Sequence, residues 1–335
     1  MDRLIEAIER MRNPSVIGLD PTPQLVPSQL IASYADEVAA MVEEPEEIAA
    51  LQLATAYFAF NRAIIDAVSD IVPAVKPQIA MYEALGPAGV DAYAMTCEYA
   101  QECGLYVIGD IKRGDIGSTA SAYAHHLTGV PALPGHDSGS DTGHGGAEGP
   151  DDPWHEDAIT VNPYLGADGV MPFVEAARHS GKDIFVLVHT SNPSSAQLQE
   201  LELKDGGMVH ERVARLVESW GSSTRGSYGY SAVGGVYGAT FAAKAPSVRA
   251  SLPHTMLLVP GYGAQGGTAA DVADLFDTDG RGAIVSSSRG IIGAWRHADR
   301  YDDSSSADES LSLVADSARL AAVDMRDALR SAVYR

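Results

Sequence analysis

The chain is short of cysteine, of basic residues and of long apolar runs, and each shortage removes a class of protein. Its two cysteines, Cys97 and Cys103, lie six positions apart in a helical-looking stretch and form neither a CxxC pair nor a disulfide framework. They read as inert thiols of a reducing compartment, which makes the cytoplasm the expected location. Lys and Arg number 23 against 45 Asp and Glu, a formal charge of −22. Nucleic acid and anionic membranes need a basic face, so neither is an expected partner. A small anionic substrate stays open, because a few cations and backbone N–H groups can build a local positive pocket. The start lacks a basic segment followed by an apolar one, and nowhere do 18 apolar residues run together, so neither a secretory leader nor a membrane span is expected. No strand–turn–helix carries GxGxxG or GxxxxGK[ST], which argues against a dinucleotide fold and a P-loop.

What the chain does have is a recurring order of elements. Eight apolar, β-branched runs stand at 15–20, 71–78, 105–112, 158–164, 184–194, 231–240, 255–263 and 282–290. Short continuous runs of this kind suit strands buried on both faces, as in a parallel sheet. Helical patterns lie between them, such as QLATAYFAFNRAIIDAVS and MVHERVARLVESWG, the second ending on a glycine suited to a helix C-terminus. The fold expected is α/β: a (β/α)8 TIM barrel spanning 1–335 as one domain. A Gly/Pro/Asp-rich insertion at about 129–157 follows the third strand–helix unit, and the stretch after GLDPTPQLVP leaves room for an extra helix before the second strand. DSGSDTGHGGAE, inside the insertion, is no calcium loop: Gly139 takes a ligand position and Thr142 replaces the required glycine.

Active sites of such barrels lie at the C-terminal ends of the strands. Polar residues concentrate there: Asp20, Lys76, Asp110, Lys112, Asn162, His189, Thr190 and Ser191, with Gln265 and Arg289 near the last two strands. In LYVIGDIKRGDIGSTA, period-two alternation puts Asp110 and Lys112 on one side of a strand, with Asp115 three residues further on. A surface ion-pair cluster is the plain alternative, and the other strand ends weigh against it. A lysine between carboxylates keeps its proton, which suits a fixed cation that stabilises negative charge and delivers a proton better than a Schiff-base nucleophile. PGYGAQGG (260–267) and SSSRGI (286–291) offer backbone N–H groups, an amide and a guanidinium where barrels of this kind often hold phosphate.

The pattern DIKRGD, together with GLDP, VKPQ, TVNPYLG, TSNPS, PGYGAQGG and SSSRGI in that order, resembles the orotidine 5'-phosphate decarboxylase family, in its longer bacterial branch. The resemblance implies decarboxylation of orotidine 5'-phosphate to UMP, the last step of de novo pyrimidine synthesis, without metal or organic cofactor and in a homodimer. It implies that Lys112 stabilises and protonates the C6 carbanion, that Asp110 flanks it beside the substrate carboxylate, and that Asp115 enters the neighbouring subunit's site. Asp20 and Lys76 then bind ribose hydroxyls, and Thr190 or Ser191 contacts the pyrimidine. Gln265, with Gly266, bridges base and phosphate, and Arg289 with Gly290 takes the phosphate. His189 and Ser286 depart from the family pattern, where arginine and asparagine are expected. The alternatives are another phosphate-binding barrel lyase (a sugar-phosphate decarboxylase or an aldolase) and, last, a non-catalytic nucleotide-binding barrel.

Overall fold

A computed structural model describes residues 1–131, 152–263 and 266–334. Eight strands form, one from each apolar run: β1 Ser15–Leu19, β2 Ala74–Pro77, β3 Tyr106–Arg113, β4 Ala158–Val161, β5 Asp183–His189, β6 Val233–Tyr237, β7 Leu257–Pro260 and β8 Ala283–Ser287. All pair in parallel in sequence order, and β8 closes on β1 through Ser15↔Val285 and Ile17↔Ser287. The expected (β/α)8 barrel is therefore the observed architecture. Seven of the strands are shorter than the runs that announced them, because the end of each run leaves the sheet as loop; β3 is as long as its run and keeps Asp110, Lys112 and Arg113 in the strand. Of the expected insertion, residues 132–151 lie outside those described. Before the second strand come two short helices, Ser28–Ser33 and Ala35–Ala39, and then the long helix Pro45–Val68.

Helices cover the outside of the barrel. Pro45–Val68 buries Tyr57, Phe60, Ile64, Ile65 and Val68 and packs between the helices Pro87–Glu102 and Ala307–Val333. By length and composition alone it is apolar enough to cross a membrane. Here it serves as an outer layer of the barrel. Its one buried amide, Asn61, donates to the Tyr82 hydroxyl at 2.8 Å and to Thr96 Oγ1 at 3.3 Å, while its Oδ1 has no hydrogen-bond partner among the described residues.

The interior is built by strand alternation. Val16, Ala74, Ile108, Ala158, Phe185, Leu258 and Ile284 form one buried cluster with Leu4, Ile5 and Ile8 of the helix Asp2–Met11, which closes the N-terminal end of the barrel. Two residues further along the same inward faces, the chemistry changes. Ala74 is followed by Lys76, Ile108 by Asp110, Ala158 by Thr160 and Ile284 by Ser286, all four buried. The barrel is thus apolar below and polar at its C-terminal mouth, and the strand period of two produces that layering without any special motif.

Candidate active site

Asp110 is the centre of the mouth. Lys112 Nζ donates to its Oδ1 at 2.5 Å and Lys76 Nζ to its Oδ2 at 2.7 Å. Thr160 Oγ1 donates to Oδ1 and Gln78 Nε2 to Oδ2, each at 2.9 Å. Four donors take the four lone-pair positions that a carboxylate offers. Burial pushes the Asp110 carboxyl up, but Lys76 and Lys112 outweigh it and hold the group far below the usual carboxylate range. For Lys76, burial disfavours the charge, yet Asp110 and then Asp20 prevail and the pKa is raised. Asp20 itself keeps a buried Oδ1 with no hydrogen-bond partner among the described residues. Such an oxygen is costly unless a donor meets it, and a sugar hydroxyl is a donor of the right kind.

Lys112 does not sit on a regular pleat. β3 and β4 pair at Gly109↔Ile159 and next at Arg113↔Val161, so four steps on one strand oppose two on the other. Within this bulge Lys112 adopts a left-handed φ of 47°, uncommon for any residue with a Cβ. Its N–H donates to Thr160 Oγ1 at 2.9 Å. Arg113, ion-paired to Glu83 and lying 5.6 Å over the Tyr123 ring, fixes the bulge from outside. Asp110 and Lys112 therefore meet as the sequence suggests, but through a bulge that simple alternation does not contain. The Lys112 side chain is half exposed at the mouth, whereas Asp110 is buried beneath it.

Behind Gly109 lies a second polar cluster, facing away from the barrel interior. Glu156, fully buried, accepts from the Tyr93 hydroxyl and meets His126 Nδ1 at 2.9 Å, and His126 stacks on Trp154 with ring centres 4.1 Å apart.

The remaining residues named from the sequence are dispersed around the mouth. Asp115 follows the bulge, and its only hydrogen bond among the described residues comes from the Ile116 N–H at 2.7 Å. In one chain it reaches neither Asp110 nor Lys112. Thr190 binds Asn192 Oδ1 through its hydroxyl at 2.7 Å and Gln199 Oε1 through its N–H at 2.8 Å. Ser191 packs on Gly238, where a Cβ would come within 3.0 Å of it. His189, flagged as a departure, is buried between the rings of His210, at 4.1 Å, and Phe241, at 3.5 Å, and so packs the end of β5. Gln265 lies outside the described residues. Gly266 has a φ of 93° that glycine adopts freely, and its N–H bonds to Gly263 O within the loop after β7. Arg289 and Gly290 open the short helix after β8, both exposed, and the Arg289 guanidinium has no partner among the described residues.

Thr160 and Gln78 are the residues that sequence reasoning missed. Each stands two positions past an inward residue (Ala158 and Lys76), so the signal was there in the alternation. Among the described residues no three His, Cys, Asp or Glu side chains group as metal ligands.

Fold and site together define a class: a parallel (β/α)8 barrel whose mouth holds preorganised charges, with a half-exposed lysine seated on a buried, fully hydrogen-bonded carboxylate. The particular family follows from comparison. The model of the orotidine 5'-phosphate decarboxylase / HUMPS family matches residues 48–138 and 151–302. An orotidine 5'-phosphate decarboxylase of Rhodopirellula baltica is 41% identical over 328 residues, 98% of each chain. One of Caldicellulosiruptor saccharolyticus is 40% identical over 296 residues, 88% of this chain and 90% of the other. Among solved structures, a putative orotidine 5'-phosphate decarboxylase from Streptomyces avermitilis aligns with a TM-score of 0.71 at 29% identity, covering 100% of this chain and 95% of that one. The chain belongs to the orotidine 5'-phosphate decarboxylase family.

Proposed function

We infer that the chain decarboxylates orotidine 5'-phosphate to UMP and carbon dioxide, within one barrel domain that carries the 129–157 segment as an insertion. The observation that carries this reading is the Lys76–Asp110–Lys112 array inside the barrel mouth. When the C6–carboxylate bond breaks, the electron pair stays on a ring carbon with no simple resonance sink. Stabilisation must then come from charges already in place, in a site that excludes water. The Lys112 ammonium supplies that charge and then the proton that C6 takes up. Asp110 orients the ammonium and stands next to the departing carboxylate. Asp20 and Lys76 hold ribose hydroxyls, and Thr190 or Ser191 contacts the base. Gln265 and Gly266 bridge base and phosphate, and Arg289 with the Gly290 N–H receives the phosphate. Phosphate binding lies far from the broken bond, and its energy serves to organise the site.

The competing barrel lyases fit less well. A magnesium-dependent decarboxylase needs several free carboxylate oxygens, and those of Asp110 are occupied by donors, which leaves Asp20 without a second carboxylate to share an ion. An imine-forming aldolase needs a neutral amine, and Lys112 is ion-paired.

Asp115 belongs, in this reading, to the site of a second copy in a homodimer. Support comes from its side chain, which among the described residues is bonded only by the neighbouring Ile116 N–H and pairs with no cation, and from its surroundings. Ile116 and Leu165 expose apolar side chains beside it, and Leu165 and the Asp115 carbonyl both flank Gly169.

The direct test is Lys112→Ala, followed by the absorbance lost as orotidine 5'-phosphate becomes UMP. Turnover is expected to fall at least about a thousandfold with the fold intact by circular dichroism. Near-wild-type turnover would sink the mechanism.

A further inference from the structure

Thr160 makes two hydrogen bonds whose directions cannot be reversed. An ionised carboxylate only accepts and a backbone N–H only donates, so the single Thr160 proton goes to Asp110 Oδ1 while its oxygen receives the Lys112 N–H, both at 2.9 Å. Thr160 is 1% exposed, so water does not compete for its hydroxyl. It joins the two residues of the array at different levels: the side chain of one and the backbone of the other.

The second bond answers a need created by the bulge. Between Gly109↔Ile159 and Arg113↔Val161 the ladder skips, and the Lys112 N–H meets a side-chain oxygen of β4 instead of a backbone carbonyl. A left-handed lysine persists only where its surroundings over-determine it. Because Lys112 sits in the bulge with that φ, a change there swings the whole four-carbon arm and displaces Nζ. We propose that Thr160 is a positioning residue of the decarboxylation, setting through one hydroxyl both the backbone turn that aims Lys112 and the carboxylate that receives its ammonium. It touches no reacting atom and acts through Lys112 and Asp110. The inference rests on the decarboxylase reading above.

Thr160→Val removes the hydroxyl at nearly constant shape, and Thr160→Ser keeps it while removing the methyl group. For T160V, kcat is expected to fall about 10- to 100-fold, the range a displaced catalytic group produces, with KM for orotidine 5'-phosphate little changed. T160S is expected to restore kcat to within about threefold of the parent, which a purely packing role does not predict, since serine fills the space less well than valine. If T160V fails to fold by circular dichroism, Thr160→Cys replaces it, similar in size and a far weaker hydrogen-bonding group. A kcat lowered less than about tenfold, or a loss that serine does not restore, overturns the proposal. K112A in the same assay separates the two levels. An active K112A defeats the decarboxylase mechanism, whereas an inactive K112A beside a fully active T160V defeats the role of Thr160 alone.

Discussion

A buried carboxylate ordinarily drifts toward its neutral form, and Asp110 does not, because two ammonium groups, an amide and a hydroxyl converge on it. Its depressed pKa means that its share of stability is fully present above the ordinary value of 3.8 and is lost as pH falls through the lower folded value. The Lys76 pKa is raised, so its share is fully present below the ordinary value of 10.5 and is lost as pH rises through the folded one. Between those limits neither group changes charge. The pair is therefore expected to add no limb to the kcat profile between roughly pH 5 and pH 9, a window inside both ordinary values. Measuring kcat against pH for the parent and for Lys76→Arg checks this. A limb inside the window that moves with the substitution places a titration on the pair and contradicts the account.

At the scale of an element, β3 is held from both sides. Asp110 and its donors grip its inner face, and the Glu156 cluster presses on its outer face at Gly109. A Cβ at Gly109 would stand 2.0 Å from Glu156 Oε1 and 2.8 Å from the Tyr93 hydroxyl. Glu156 cannot swing clear, being buried and tied to Tyr93 and His126. Gly109→Ala is expected to lose about 3 kcal/mol, from overpacking and from a weakened buried carboxylate cluster. Urea unfolding measures it, and a loss below about 1 kcal/mol would mean that the cluster yields easily and does not clamp the strand. All eight strands were legible in the sequence because strands buried on both faces leave unbroken apolar runs. The mouth was legible because polar residues end those runs. The bulge was not, since nothing in DIKRGD marks a lysine for a left-handed turn. Nor was the cluster behind Gly109, because Tyr93, His126 and Glu156 come from three separate segments and meet only once the helices have packed. The place of His189 was hidden for a similar reason: a polar residue at a strand end shows no packing role until His210 and Phe241 arrive on either side of it.

Two copies of a chain carrying −22 repel each other, so a dimer has to rest on short-range contacts. The chain offers them around Asp115, where Ile116, Tyr164 and Leu165 are 55%, 75% and 48% exposed. Exposed apolar groups gathered around a carboxylate that pairs with no cation among the described residues suit a surface that another copy covers. A two-fold interface would carry each Asp115 toward the partner's mouth and close an Asp–Lys–Asp array from two chains. The consequence is testable by mixing Lys112→Ala with Asp115→Ala, each inactive alone. In a mixed dimer one site collects both lesions and the other collects neither. Random exchange of equal amounts makes about half the dimers mixed, with one working site in each, so activity is expected to return to about a quarter of the parent's. Exchange is first proven with differently tagged subunits, at moderate salt so that the like charges are screened. If tagged dimers form and activity does not return, Lys112 and Asp115 serve the same chain's site. The loop after β3 must then fold inward over its own barrel when substrate binds.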